Sequence, residues 1–151
     1  MNIGVRIALD VGSVRIGVAK CDRHGMLATP LVTIAAGPNA LQEVVSLINE
    51  HEAMCVYVGK PISLAGETTA STVSALNFAK ELSLLVKGSA VTVRLIDERL
   101  STVSAQRGMH EAGRSVKQSR DAIDQATAVV ILEHALATER NAGDFVGEEV
   151  N

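Results

Sequence analysis

The stretch Ile7 to Ala19, IALDVGSVRIGVA, decides the reading of this chain. Ile7, Ala8 and Leu9 are consecutive apolar residues, the pattern of a strand buried on both faces. Gly12 and Ser13 supply a turn, and Ile16 to Ala19 runs back as a second strand. A single carboxylate, Asp10, stands where the first strand stops. An acid is costly to bury, so its place there implies a partner or a task.

Working outward, the polar turn Cys21 to Met26 leads into a Thr-, Val- and Ile-rich run, Leu27 to Ile34, which predicts a third antiparallel strand. Gly37-Pro38-Asn39 breaks the pattern. Asn39 is a candidate N-cap for a helix ending near His51, with Leu41, Val44, Val45, Leu47 and Ile48 at helical spacing. Met54 to Val58 is a short apolar run entered from a helix, as a central parallel strand would be, and Lys60 to Thr69 follows as a loop. Val73, Leu76, Phe78, Ala79, Leu82 and Leu85 describe a second helix.

Val91 to Ile96 reads as the final strand and delivers Asp97-Glu98-Arg99 at its end. Ser101 or Thr102 caps a helix expected through Met109, weakened at Gly108, and Gly113 to Ser119 is expected as a mobile basic loop. The last helix, from about Asp121 to Thr138, carries Ile123, Ala126, Val129, Val130, Leu132, Ala135 and Leu136 on one face. The expected fold is an α/β domain over residues 1–140. Its mixed five-stranded sheet joins a three-strand antiparallel meander to two parallel strands and is flanked by helices. Residues 141–151 are expected as a flexible acidic tail.

The length of 151 residues fits one core. With 47% hydrophobic and 21% charged residues and no apolar run near the roughly 20 residues of a membrane helix, the composition is that of a soluble globular protein without a membrane partner. No signal-peptide pattern opens the sequence, so the expected location is the cytoplasm. Cys21 and Cys55 lack metal-ligand spacing and read as buried thiols. The scattered His24, His51, His110 and His134 are assigned to no metal. Monomer and weak homodimer both stay open.

The net charge of −3 argues superficially against a nucleic-acid partner. Asp144, Glu148 and Glu149 account for an equal negative charge near the end of the chain, which leaves the preceding body formally neutral. Within it, Arg94, Arg99, Arg107, Arg114, Lys117 and Arg120 face only Asp97, Glu98 and Glu111. That stretch can form a basic surface, or simply a solvated helix face. One Tyr, two Phe and no Trp leave little for base stacking, so any such binding should be directed at the phosphate backbone and weakened by salt.

Acids stand at three element ends: Asp10, the pair Asp97 and Glu98, and Asp124. Converging there, they would need hard cations to relieve their repulsion, and oxygen-only ligands suit Mg²⁺ or Mn²⁺. Two such ions about 3.5–4 Å apart serve phosphodiester hydrolysis. Taken singly, each acid can equally be a cap, and Asp97 or Glu98 can pair with Arg94 or Arg99. Arg99, Arg114, Lys117, Arg120 and Lys60 are the candidates for holding phosphates.

Together, Leu9-Asp10-Val11-Gly12, Arg15-Ile16-Gly17-Val18-Ala19, Val58-Gly59-Lys60-Pro61, Asp97-Glu98-Arg99-Leu100-Ser101-Thr102 and Asp124-Gln125-Ala126 closely resemble the YqgF/RuvX family of RNase H-like proteins. Its members are described as Holliday junction resolvases and as nucleases for maturation of the small-subunit ribosomal RNA precursor. The resemblance covers about Val5 to Leu136. It implies an RNase H-like fold and a metal-binding active site of Asp10, Asp124 and an acid after the last strand. Neighbouring strand residues point oppositely, so one of Asp97 and Glu98 should face the metal, with Glu98 favoured. The central apolar run ends in Lys60-Pro61 without the acid that junction resolvases of related fold carry there.

The resemblance therefore implies a metal-dependent endonuclease processing the 5′ end of the 16S ribosomal RNA precursor, with branched DNA as the other substrate. A non-catalytic nucleic-acid-binding factor in transcription or ribosome assembly is the competing class. An actin-like ATPase would need a second Asp-x-Gly hairpin to enclose ATP, and this chain has none.

Overall fold

The opening hairpin becomes the centre of the sheet. In the computed structural model, which describes residues 3–63, 65–100 and 116–151, β1 (Val5–Val11) pairs antiparallel with β2 (Arg15–Cys21), and β2 with β3 (Ala28–Ala35). On its other side β1 pairs parallel with β4 (Ala53–Lys60), and β4 with β5 (Thr92–Asp97). The sheet order is β3-β2-β1-β4-β5-β6, where β6 (Glu148–Glu149) adds an antiparallel edge to β5. The meander and the two parallel strands are those expected from the sequence, and the sixth strand is an addition.

Alternation along the strands separates two cores. Ile7, Leu9, Ile16, Val18, Val56, Val58, Val93 and Leu95 face α1 (Ala40–His51) and α2 (Ala70–Leu85), contributing to one cluster with Val44, Ile48, Ala75, Ala79 and Leu82. Ala8, Ala19, Cys21, Cys55, Tyr57 and Ile96 face the opposite way, against Ala128, Ile131, Leu132, Ala135 and Leu136 of α3 (Val116–Ala142). The crossovers through α1 and α2 make β4 and β5 parallel to β1.

Thr69 caps α2 in a reciprocal box: its hydroxyl accepts from the Thr72 N–H, and the Thr72 hydroxyl accepts from the Thr69 N–H. The same Thr72 hydroxyl donates to the Pro61 carbonyl, which ties the loop after β4 to the helix. Asn39 does precede α1, but its side chain makes no capping hydrogen bond.

Two boundaries differ from expectation. Helix α3 starts at Val116 and runs to Ala142, whereas the apolar pattern predicts Asp121 to Thr138. Polar residues can extend a helix by whole turns once its apolar face is docked, so periodicity marks the packed part alone. The expected flexible acidic tail is also corrected: Phe145 and Val146 pack on the α3-side core, Val150 on the other, and Glu148–Glu149 pairs with β5. Ser83 donates to the Val150 carbonyl at 2.8 Å. Three apolar residues among the acids supply the burial that the charge count conceals. The helix expected from Ser101 or Thr102 through Met109 lies outside the described residues, as do residues 113–115 of the expected Gly113–Ser119 loop; the rest of that loop is corrected, because Val116 to Ser119 form the first turn of α3.

A charged network anchors this end of the molecule. Arg6 and Glu139, both 0% exposed, form an ion pair of 2.7 Å, and the Tyr57 hydroxyl donates to the other Glu139 oxygen at 2.5 Å. The Val146 N–H donates to the Tyr57 hydroxyl at 3.3 Å, and the Phe145 ring lies against both Arg6 and Arg94. Cys21 and Cys55 are buried free thiols, as their apolar surroundings predicted.

Candidate active site

Asp10 lies at the carboxyl end of β1, two residues beyond Ala8, and so projects to the α3 side of the sheet. It is only 7% exposed. Its partner on β2 is Gly17. One step past the Leu9–Val58 pair, Gly59 of β4 lies on its other side. Asp10 thus has a residue without a side chain on each neighbouring strand, and another acid stands over each.

Over Gly17 stands Asp124. A Cβ on Gly17 would lie 2.1 Å from the Asp124 carbonyl oxygen and 2.9 Å from its Cβ, so glycine is what lets α3 approach β2 this closely. Thr33 donates to the Asp121 carbonyl at 3.1 Å, and Gln125 donates to the Thr33 hydroxyl at 2.9 Å, which holds this part of the helix on β3. Because α3 begins at Val116, Asp124 lies well inside the helix, and Asp121 is no N-terminal dipole partner.

Over Gly59 stands Glu98. Its Oε2 lies 2.9 Å from where a Gly59 Cβ would be, and Glu98 is 2% exposed. The parity of β5 explains this: Ile96 faces α3, and Glu98, two residues on in a 3₁₀ turn (Glu98–Leu100), keeps that side. Asp97 has the opposite parity. It pairs with Arg99, whose terminal nitrogen lies 2.8 Å from Oδ2 and whose main-chain N–H donates to Oδ1 at 2.9 Å. The side-chain bond from Arg99 holds the Asp97 carboxyl below its usual pKa, and Asp97 in turn raises that of Arg99.

The cations divide. Arg99 flanks the site from the 3₁₀ turn and reaches to 3.2 Å from where a Gly66 Cβ would lie. Arg120 is exposed on α3. Lys60, at the end of β4, has its amino group 3.9 Å from Glu148, so part of its charge is met by the C-terminal strand. Arg94 is withdrawn from the proposed basic surface by Phe145 and by Glu149 at 3.4 Å. Arg114 and Arg107 lie outside the described residues, as does the side chain of Lys117.

One residue quoted in the sequence but given no role belongs to this site. Arg15, at the start of β2, donates from Nε to Asp124 Oδ2 at 3.0 Å and lies 3.7 Å from Asp121. Its position two residues before Gly17, on the same face, is the signal that would have found it.

Three inward carboxylates around one strand end, with space kept clear by Gly17 and Gly59, are the donors that a hard divalent ion prefers. Among the described residues, no three acidic, imidazole or thiol groups are gathered closely enough to hold an ion. Asp124 is drawn toward Arg15 instead.

Comparisons with known proteins show the family and the fold. A family model described as "RuvX: Holliday junction resolvase" matches residues 4–138. A protein of Clavibacter sepedonicus named "Putative pre-16S rRNA nuclease" is 44% identical over 150 residues, which cover 97% of this chain and 91% of that protein. A Streptomyces avermitilis protein of the same name is 43% identical over 152 residues, with 99% and 96% covered. Among solved structures, T. thermophilus RuvC in complex with Holliday junction substrate matches with a TM-score of 0.61 over 97% of this chain and 99% of that one. At 12% identity, that likeness is one of fold. Among the described residues, no helix is long and apolar enough to cross a membrane.

Proposed function

The chain belongs to the RuvX family, and from that premise we propose that it is a metal-dependent nuclease that matures the 5′ end of the 16S ribosomal RNA precursor by phosphodiester hydrolysis. The observation that carries this reading is the placement of Asp124 and Glu98 on either side of Asp10, over Gly17 and Gly59. Three elements distant in sequence have no structural need to bring acids to one strand end, because each acid adds repulsion there.

In this reading Asp10, Glu98 and Asp124 hold Mg²⁺ or Mn²⁺. A bound divalent ion supplies charge neutralisation at the phosphate and an acidified water. The protein's own share is placement. Buried Asp10 and Glu98 are held by the sheet and the 3₁₀ turn, so they present oxygens at fixed positions, and α3 brings the third. Asp97 contributes indirectly by orienting the Arg99 guanidinium. Arg99, Arg120 and Lys60, with Arg114 and Lys117, are assigned to the phosphate backbone, the arginines by forked hydrogen bonds and the lysines as point charges.

Incubating the protein with a ribosomal RNA precursor and Mn²⁺ or Mg²⁺ tests the assignment. Cleavage by the wild type and none by Asp10→Asn is expected; cleavage that survives the substitution would remove Asp10 from the chemistry. Four-way junction DNA is the second reading, favoured by the description of the matching family model. Junction cut faster than precursor RNA in the same assay would make it the leading one.

A further inference from the structure

Arg15 and Asp124 form an ion pair whose structural value is small. Their side chains are 28% and 24% exposed, and partly hydrated pairs add little to stability. Nor does α3 need the pair to find its place. The Asp124 main chain is seated on Gly17, and Thr33 bonds to Asp121 and Gln125 on either side of it. What the pair does show is that one oxygen of the Asp124 carboxylate is turned toward Arg15. Among the described residues, the side-chain hydrogen bond from Arg15 uses Nε, and its acceptor is Oδ2 of one of the three inward acids.

We propose that Arg15 is a placeholder cation, which holds Asp124 in the metal-free protein and is displaced from it when a divalent ion binds. The proposal rests on the metal site described under Proposed function. An ion ligated by Asp124 would lie roughly 2.0–2.6 Å from a carboxylate oxygen. It would then stand within a few ångströms of the Arg15 guanidinium, where two positive centres share one acceptor and repel. The carboxylate must choose. Of the three acids around this strand end, Asp124 has its carboxylate bonded to an internal cation. Arg15 is thus a positioning residue that sets the metal affinity of the site.

The test uses the full-length protein and Mg²⁺ alone, without nucleic acid. The Nε–H resonance of Arg15, identified by its loss in Arg15→Lys, is followed by NMR through a Mg²⁺ titration, while calorimetry measures Mg²⁺ affinity for wild type and Arg15→Gln. The expected result is a resonance that moves along the binding curve, with the variant binding roughly two- to fivefold more tightly, as release from an exposed ion pair implies. The NMR arm uses the wild type, so a poorly folded variant does not remove the test. If Mg²⁺ binds with the Arg15 resonance unmoved, or Arg15→Gln binds no more tightly, the placeholder role is overturned and the metal site stands. If neither protein binds Mg²⁺ or Mn²⁺, both the placeholder and the metal site fall.

Discussion

The main chain of Asp124 lies against Gly17 so closely that a Cβ there would stand 2.1 Å from its carbonyl oxygen. Backbone cannot yield as a side-chain tip can, so Gly17→Ala must push α3 away from β2. We expect a loss of about 3 kcal/mol, at the upper end of overpacking costs, measured as the shift in urea unfolding. Gly59→Ala meets side-chain atoms of Ile131 and Glu98 instead, at 2.6 and 2.9 Å. It should cost less stability than Gly17→Ala while displacing the Glu98 carboxylate, so nuclease activity falls further than unfolding stability does.

Parity on β5 separates Glu98 from Asp97. Asp10→Asn, Glu98→Gln and Asp124→Asn should each reduce RNA cleavage by more than roughly a hundredfold, the upper end of what loss of a ligand's outer partner costs. Asp97→Asn frees Arg99 from its carboxylate and should change cleavage by about tenfold or less, with the effect shrinking as salt is raised and the charges are screened. Single-turnover rates at two salt concentrations check the distinction. Equal losses at Asp97 and Glu98 would contradict it.

Glu139 meets two buried groups, Arg6 and Tyr57. Glu139→Ala leaves the Arg6 charge buried without its counter-ion and should cost about 3–5 kcal/mol. The double variant Arg6→Met with Glu139→Leu removes both charges and should recover much of that loss, because the desolvation cost disappears along with the attraction. Equilibrium unfolding of the two variants measures the difference.

Burial pushes the Cys55 thiol up to about 12 from 9.0, and raises that of Cys21 as well. The folded state therefore favours the protonated thiol more than the unfolded state does. The stability this contributes is complete below pH 9.0 and is lost as pH rises from there toward about 12. Cys55→Ala should flatten the alkaline limb of the stability profile. In the native protein at pH 8, neither thiol should react with iodoacetamide until the chain opens, which mass spectrometry reads directly.

The C-terminal segment covers Arg6, Arg94 and Tyr57 with Phe145 and Val146. Removing residues 143–151 should therefore destabilise the protein by at least about 2 kcal/mol, the value of burying one large aromatic side chain. Phe145→Ala should reproduce most of the effect, whereas Glu148→Gln and Glu149→Gln, both exposed, should not. A truncated protein as stable as the full chain would return this segment to the role of a tail. Thermal unfolding distinguishes the two.

Much of the sheet was legible because strand order follows from local signals. Gly12-Ser13 forces a hairpin, and the apolar run before Gly59-Lys60-Pro61 has no polar face to expose, so it must lie inside a parallel sheet. The C-terminal segment was misread because its three acids dominate the composition, while the burial of Phe145 depends on two arginines more than 50 residues away. Helix α3 was shortened because apolar periodicity records only the turns that pack.

What the sequence determined by itself was the kind of chemistry: acids at element ends, arginines near them, and glycines within strands, all recognisable as residue types. Tertiary structure alone decided which acids share a face. That decision needs the pleat of β5 to turn Glu98 inward and Asp97 out, and the register of β1 with β2 and β4 to set Asp10 between Gly17 and Gly59. The link between Arg15 and Asp124 belongs to the same class. It joins residues 109 positions apart, and it exists only because a glycine lets the helix rest on the strand.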